Sequence, residues 1–211
     1  MTIKPLKRED NKEAKTRKRN MLIGFFIIFL MVFSVVGYAF LDGSFNESQK
    51  IKYNGYEFTI SDSGYWQTKV KISEQDKTIQ TNFLPTDLEN ISFNGNILLS
   101  DFQNKIVYYI TNNTADEINA IRTLDTEISN YYLRAQLACS EENENLSHCE
   151  KLPIKSCDDA NSNMLIIELN SIENSTTNIN YKNYCLKISG QGIDLTKAAE
   201  KVIFKSYGIM N

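Results

Sequence analysis

Lys50–Ile72 reads KIKYNGYEFTISDSGYWQTKVKI, and its centre is Asn54-Gly55. That dipeptide tolerates the positive φ angles of a tight hairpin turn better than almost any other, and β-prone residues flank it on both sides. Lys50–Tyr53 and Tyr56–Ile60 are therefore expected to pair as a hairpin. A second turn is expected over Ser61–Gly64. After it Trp66, Thr68, Val70 and Ile72 alternate with Tyr65, Gln67, Lys69 and Lys71, a two-residue period that buries one strand face and wets the other. A fourth strand near Thr78–Leu84 completes an antiparallel meander.

Toward the C-terminus, Pro85 ends that sheet edge and Asp87–Ile91 reads as a single helical turn. Lys105–Thr111 (KIVYYIT) is rich in β-formers. Thr114 with Glu117 three residues on forms a capping-box pattern, and Ile118, Ile121, Leu124, Ile128 and Tyr132 recur on one helical face. Leu133–Cys139, Met164–Leu169 and Lys182–Ser189 read as strands, with a polar loop at Glu141–Glu150 and an Asn/Ser-rich connection before the last of them. The closing helix carries Leu195, Ala198, Ala199, Val202 and Ile203 on its apolar face, with Gly208 suited to the position just past its end. The expected fold of residues 50–211 is α+β: a mainly antiparallel sheet of about eight strands with two amphipathic helices.

Toward the N-terminus lies a different kind of segment. Met21–Leu41, MLIGFFIIFLMVFSVVGYAFL, is 21 residues without a charge, which as a helix just spans the roughly 30 Å hydrocarbon layer of a bilayer. Eight basic residues precede it within residues 1–20 against three acidic ones, and only Lys50 and Lys52 follow closely. The positive-inside rule then keeps the N-terminus in the cytoplasm. The expected organisation is a basic cytoplasmic tail (1–20), a transmembrane helix (21–41), a linker (42–49) and an exported domain (50–211), the protein sitting in the cell membrane as a single-pass signal-anchored chain. The competing reading is a cleaved signal peptide with Gly37 and Ala39 as the small residues before the cut, but the apolar run is longer than such segments use. The tail carries net +5 of a chain total of −3, leaving −8 beyond it. An acidic exported domain argues against a nucleic-acid partner. The expected partners are the bilayer, through residues 21–41, and an envelope protein.

Cys139, Cys149, Cys157 and Cys185 all fall on the exported side, where thiols oxidise, and an even count fits two disulfides. Of the three pairings, Cys139–Cys149 with Cys157–Cys185 is favoured: the first closes a short polar loop, and the second ties a strand entry to a later strand. The alternatives are unpaired buried thiols and a metal set completed by His148, although no close C-x2-C pair is present. Five N-x-[ST] sequons, at Asn46, Asn90, Asn112, Asn145 and Asn174, are candidate glycosylation sites.

No catalytic or cofactor motif stands out, and no cofactor or metal is expected. Gly190-Gln191-Gly192 lacks the third glycine of a dinucleotide-binding turn. Asp159, Asn161 and Asn163 begin a calcium-loop pattern that fails at Met164, where glycine is required, and at Asn170, where glutamate is. Glu141-Glu142 and Asp158-Asp159 supply paired carboxylates such as glycoside hydrolysis uses; a concave pocket around Asp158, Asp159 or Glu168 would favour an enzyme, and a convex surface would exclude one. The many tyrosines read as cross-strand packing before they read as a binding platform.

The Lys/Asn/Ile-rich composition, the tail-anchor-domain layout and the closing stretch Lys201–Met210 (KVIFKSYGIM) resemble uncharacterised archaeal single-pass membrane-anchored proteins. That resemblance implies no activity and carries no residue role. The function expected from the sequence is a non-enzymatic, membrane-anchored binding or envelope-assembly module. A minor pilin-like subunit is the structural alternative, although the apolar segment lacks the early glutamate of pilin helices. An envelope hydrolase using loop carboxylates is the enzymatic one.

Overall fold

The computed structural model describes residues 10–44, 50–141, 146–173 and 176–210, the side chains of 10–15 and 35–44 excepted. The chain divides into two compact units, Met1–Ser48 and Gln49–Asn211.

In the first unit, helix α1 runs over Asp10–Ser44, starting within the basic tail and continuing into residues 42–44, which the sequence reading assigned to a linker. Among the described residues no helix is long and apolar enough to cross a membrane. The expected span 21–41 runs beyond them, since the side chains of its residues 35–41 lie outside the described set.

The second unit is α+β. Its first four strands, β1 (Ile51–Tyr53), β2 (Tyr56–Ile60), β3 (Trp66–Ile72) and β4 (Gln75–Thr81), form the expected antiparallel meander in sequential order. Asn54 and Gly55 both adopt positive φ at the first turn, as a type I′ hairpin requires. β4 starts three residues earlier than Thr78, because Ser73 and Glu74 make a two-residue turn at positive φ. Phe58, Val70 and Ile79 face the core from this sheet while Lys69 and Lys71 face water.

The remaining strands correct the expectation of a mainly antiparallel domain. β5 (Ser92–Asn94), β6 (Ile106–Ile110), β7 (Arg134–Ala138), β8 (Met164–Ser171), β9 (Asn178–Lys182) and β10 (Cys185–Gly190) form a six-stranded sheet in the order β5-β9-β10-β8-β6-β7. Only β9–β10 is antiparallel among its described pairings; β10–β8, β8–β6, β6–β7 and β5–β9 are parallel. The physical cause is a crossover. β6 leads through helix α2 (Ala115–Ile128) to a parallel neighbour, β7, and parallel strands need such a connection, whereas a tight turn can only reverse direction. β5 and β9 were not anticipated; β9 lies in the Asn/Ser-rich connection and turns into β10 through Asn183-Tyr184, both at positive φ.

The two faces of this sheet are covered differently. Val107, Tyr109, Leu165, Ile167, Leu169, Leu186 and Ile188 join one continuous core with α2, with helix α3 (Ile193–Ser206) and with Phe58, Val70 and Ile79 of the meander. Phe58 meets Phe204 of α3 edge-on, with ring centroids 5.8 Å apart, a geometry worth about 1 kcal/mol beyond area burial. On the other face Tyr108, Ile110, Ala138, Ile166 and Cys185 form a separate, smaller cluster with Cys157, Ala160 and Met164. Cys157 and Ala160, from the connection between β7 and β8, therefore lie on that second face.

The helix ends follow the sequence signals. Glu117 and Thr114 exchange the two capping-box bonds at the start of α2. α3 ends in a Schellman motif: Gly208, at positive φ, donates to Lys205 O, and Ile209 donates to Phe204 O. The Lys201 ammonium is buried and donates to the carbonyls of Leu88, Glu89 and Ile91, which fastens the turn after β4 onto α3.

Candidate functional site

In an open sheet with parallel strands, ligands settle outside the strands' carboxyl ends where the order reverses. Here that place is β6. The chain leaves it for β7 on one side and returns to β8 on the other, and Cys157 and Ala160 of the returning segment pack against the sheet's second face. A cleft of about 500 Å³ results.

Its sheet wall is Ile110 and Asn112 at the end of β6, Glu168, Leu169 and Asn170 on β8, and Lys187 on β10; its loop wall is Ser140, Glu141, Lys155, Ser156, Cys157 and Asp158. Five of the twelve lining residues are charged, and three of them, Lys155, Glu168 and Lys187, are ion-paired. Lys187 Nζ lies 2.8 Å from Glu168 Oε2, and Asn170 Nδ2 donates to Glu168 Oε1 at 3.0 Å. Glu168 is only partly exposed and Lys187 about half exposed. The Lys155 ammonium lies 3.3 Å from Asp159 Oδ1 and 5.4 Å from the centroid of the Tyr108 ring. The Asp159 carboxyl is held below its ordinary value by the Ser156 backbone amide at 2.8 Å and then by Lys155. Together with the bond from Asp158 N to Ser156 Oγ, these contacts fix the turn that presents Asp158 to the cleft.

Both favoured disulfides are present: Cys139–Cys149 and Cys157–Cys185, with no free cysteine among the described residues. Cys157, Glu168 and Cys185 offer donor atoms within 4.8 Å of one another, as do Cys139, His148 and Cys149. With both sulfurs of each set in a disulfide, neither has a thiolate to give a metal. The Nε2 atom of His148 is buried without a hydrogen-bond partner among the described residues, and the imidazole lies beside the Cys139–Cys149 disulfide.

Of the sequons, Asn90 and Asn112 are exposed, Asn112 at the cleft rim; Asn46, Asn145 and Asn174 lie outside the described residues, as does Glu142. The tyrosines form no described platform. Tyr53, Tyr56, Trp66, Tyr131, Tyr132, Tyr181 and Tyr184 pack on the main core, Tyr108 and Tyr109 are buried, and Tyr65 is the large exposed one.

Sequence reading named Glu141, Asp158 and Glu168, met Asn170 only as the failed last position of a calcium loop, and missed Lys155 and Lys187. The available signal was a charge or amide interrupting an apolar strand: Glu168 and Asn170 in MLIIELNS, Lys187 in CLKISG.

No family model matches the chain, and no curated protein or solved structure matches it.

A wider hollow of about 630 Å³ lies on the wet face of the meander, lined by Glu57, Thr59, Gln67, Lys69, Lys71 and Thr78. Its walls come from one sheet, whereas the cleft draws groups from three strands and a disulfide-pinned loop, a convergence that suits a specific ligand.

Proposed function

We propose that this chain is a membrane-anchored, extracytoplasmic binding module whose cleft at the carboxyl ends of β6 and β8 takes a small polar ligand. The observation that carries the proposal is the convergence in that cleft of Asn112, Lys155, Asp158, Glu168, Asn170 and Lys187: amide and ammonium donors and carboxylate acceptors on facing walls. The anchor is the 21–41 helix, argued from its uncharged length and the basic tail before it.

The binding reading is tested with the full-length protein in nanodiscs, by ligand-observed NMR against a panel of monosaccharides, amino acids and short peptides. A binder displaced by Asp158→Ala and Glu168→Gln supports it; a panel without one, or a binder indifferent to both substitutions, overturns it. The topology is tested by adding protease to intact cells. Digestion of residues 50–211 without lysis is expected, and protection until lysis would overturn the exported placement.

The second reading, an envelope hydrolase, is favoured by one observation: three carboxylates, Glu141, Asp158 and Glu168, line the same concave cleft. Release of product from a short peptide of the panel or from an added glycoside, lost in Glu168→Gln, would replace the first reading with this one.

A further inference from the structure

The two disulfides differ in a way that bears on the cleft. Cys139 and Cys149 are 0% and 3% exposed, which leaves an incoming thiol little access to either sulfur. Cys157 is only partly buried and forms part of the cleft wall, while its partner Cys185 is 7% exposed and sits on β10. Glu168 Oε2 lies 3.5 Å from Cys157 Sγ, a contact and not a hydrogen bond because a disulfide sulfur carries no proton. Lys187 neutralises that carboxylate at 2.8 Å. Lys187 also shares a strand face with Cys185, two residues away, since side chains alternate along a strand.

We propose that Cys157–Cys185 is a thiol-exchange site at which small thiols or an exposed protein dithiol open the loop wall of the cleft. This rests on the cleft reading above and adds its regulation. The thiolate of the dithiol attacks Cys157 Sγ, the Cys157–Cys185 bond breaks, and its electron pair leaves with Cys185 as a thiolate beside the Lys187 ammonium. A second thiolate, from the same dithiol or from a second molecule of a small thiol, then attacks the reagent sulfur of the mixed disulfide, releasing Cys157 as a thiolate. Two electrons pass, the dithiol is oxidised to a disulfide, and two protons end on the cysteines or in solvent. Lys187 is a positioning and neutralising group here, because without it the Glu168 charge repels the approaching thiolate.

The consequence is local. Lys155, Ser156 and Asp158 stand on the segment that this bond ties to β10. The backbone ties of that segment on its N-terminal side run to the other disulfide, through the bridge Cys139–Ile154 and the bond from Lys155 N to Cys139 O. Reduction therefore frees the wall of the cleft while its base stays pinned.

The test is differential alkylation of the folded full-length protein in nanodiscs, read by mass spectrometry during titration with glutathione and with dithiothreitol. Hydrogen exchange of residues 155–160 is followed in parallel. Cys157 and Cys185 are expected to become labelled roughly tenfold faster than Cys139 and Cys149, with Lys187→Met slowing the first pair several-fold and leaving the second unchanged, and exchange at 155–160 is expected to rise on reduction. Equal or reversed reactivity, or selective reduction with unchanged exchange at 155–160, overturns the proposal. Neither result touches the ligand panel run on the oxidised protein, so the cleft reading stands or falls separately.

Discussion

The backbone amide of Ser171 donates to Glu117 Oε1 at 3.0 Å, across more than fifty residues of chain. The other oxygen, Oε2, accepts from the Thr111 hydroxyl and the Asn112 amide, each at 2.8 Å. Glu117 is fully buried. One carboxylate thus joins the end of β6, the start of α2 and the end of β8, the three pieces that frame the cleft.

Glu117→Ala removes the acceptor of four buried or half-buried donors, the Thr111 hydroxyl and the amides of Asn112, Thr114 and Ser171, and each such group costs about 1–3 kcal/mol, with incomplete additivity. A loss of about 3 kcal/mol in unfolding free energy is expected, together with loss of the cleft ligand. Urea unfolding of the full chain measures it. A change within about 0.5 kcal/mol, the range of an ordinary surface substitution, would show that the carboxylate does not hold the frame.

The disulfides should contribute unequally to stability. They close sequence separations of 10 and 28 residues, for which loop-closure entropy gives about 2.7 and about 3.6 kcal/mol. Cys157→Ser with Cys185→Ser is therefore expected to cost about 1 kcal/mol more than Cys139→Ser with Cys149→Ser. Melting temperatures of the two double variants decide the order, and a reversed order would mean that the short polar loop is the more constrained of the two.

Much of this was legible in the sequence where the signal is local. Asn54-Gly55, the alternation over Trp66–Ile72, the Thr114/Glu117 box and Gly208 each specify geometry within a few residues, and each appears where expected. The parallel order of β6, β8 and β10 is a non-local property. Its trace was present in Ile106–Ile110 and in Met164–Leu169, whose near-continuous apolar runs are what strands covered on both faces require; read only as β-formers, they fit an antiparallel sheet equally well. β9 escaped because NINYK buries only Ile179 fully. The cleft was only half visible, since Lys187 and Glu168 become neighbours solely through the pairing of β10 with β8, and no spacing rule along the chain encodes that register.

Glu200 and Glu127 give the domain a specific response to acid. Burial raises the carboxyl of each above its ordinary value; the amides of Asn82 and Phe83 partly offset this at Glu200, and the Gln80 amide and Lys77 do so at Glu127. Between the ordinary value and the raised one, the native state holds more protons than the unfolded state, so stability from these groups falls as pH rises through the window and returns as pH falls toward 4.5. The wild type should then lose less stability on acidification from neutral pH than Glu127→Gln/Glu200→Gln, by about 1.4 kcal/mol for each unit of displacement. Parallel pH profiles of the two proteins would show these carboxyls to be ordinary.

Gly95 tests the least anticipated strand. It follows β5 at φ +105°, and a Cβ placed there would stand 2.2 Å from the carbonyl oxygen of Tyr181 on β9. Backbone cannot yield as a side-chain tip can, and an L-residue at that φ carries strain of its own, on the order of 1–3 kcal/mol. Gly95→Ala should accordingly push β5 from the sheet edge and lower stability by about 3 kcal/mol, with hydrogen exchange rising at Ser92–Asn94 and along β9. Because β9 pairs with β10 on its other side, the disturbance should stop there and leave the amides of β6 and β8 protected. If the loss were instead spread evenly over all six strands, β5 would be part of the cooperative core and not a separable edge.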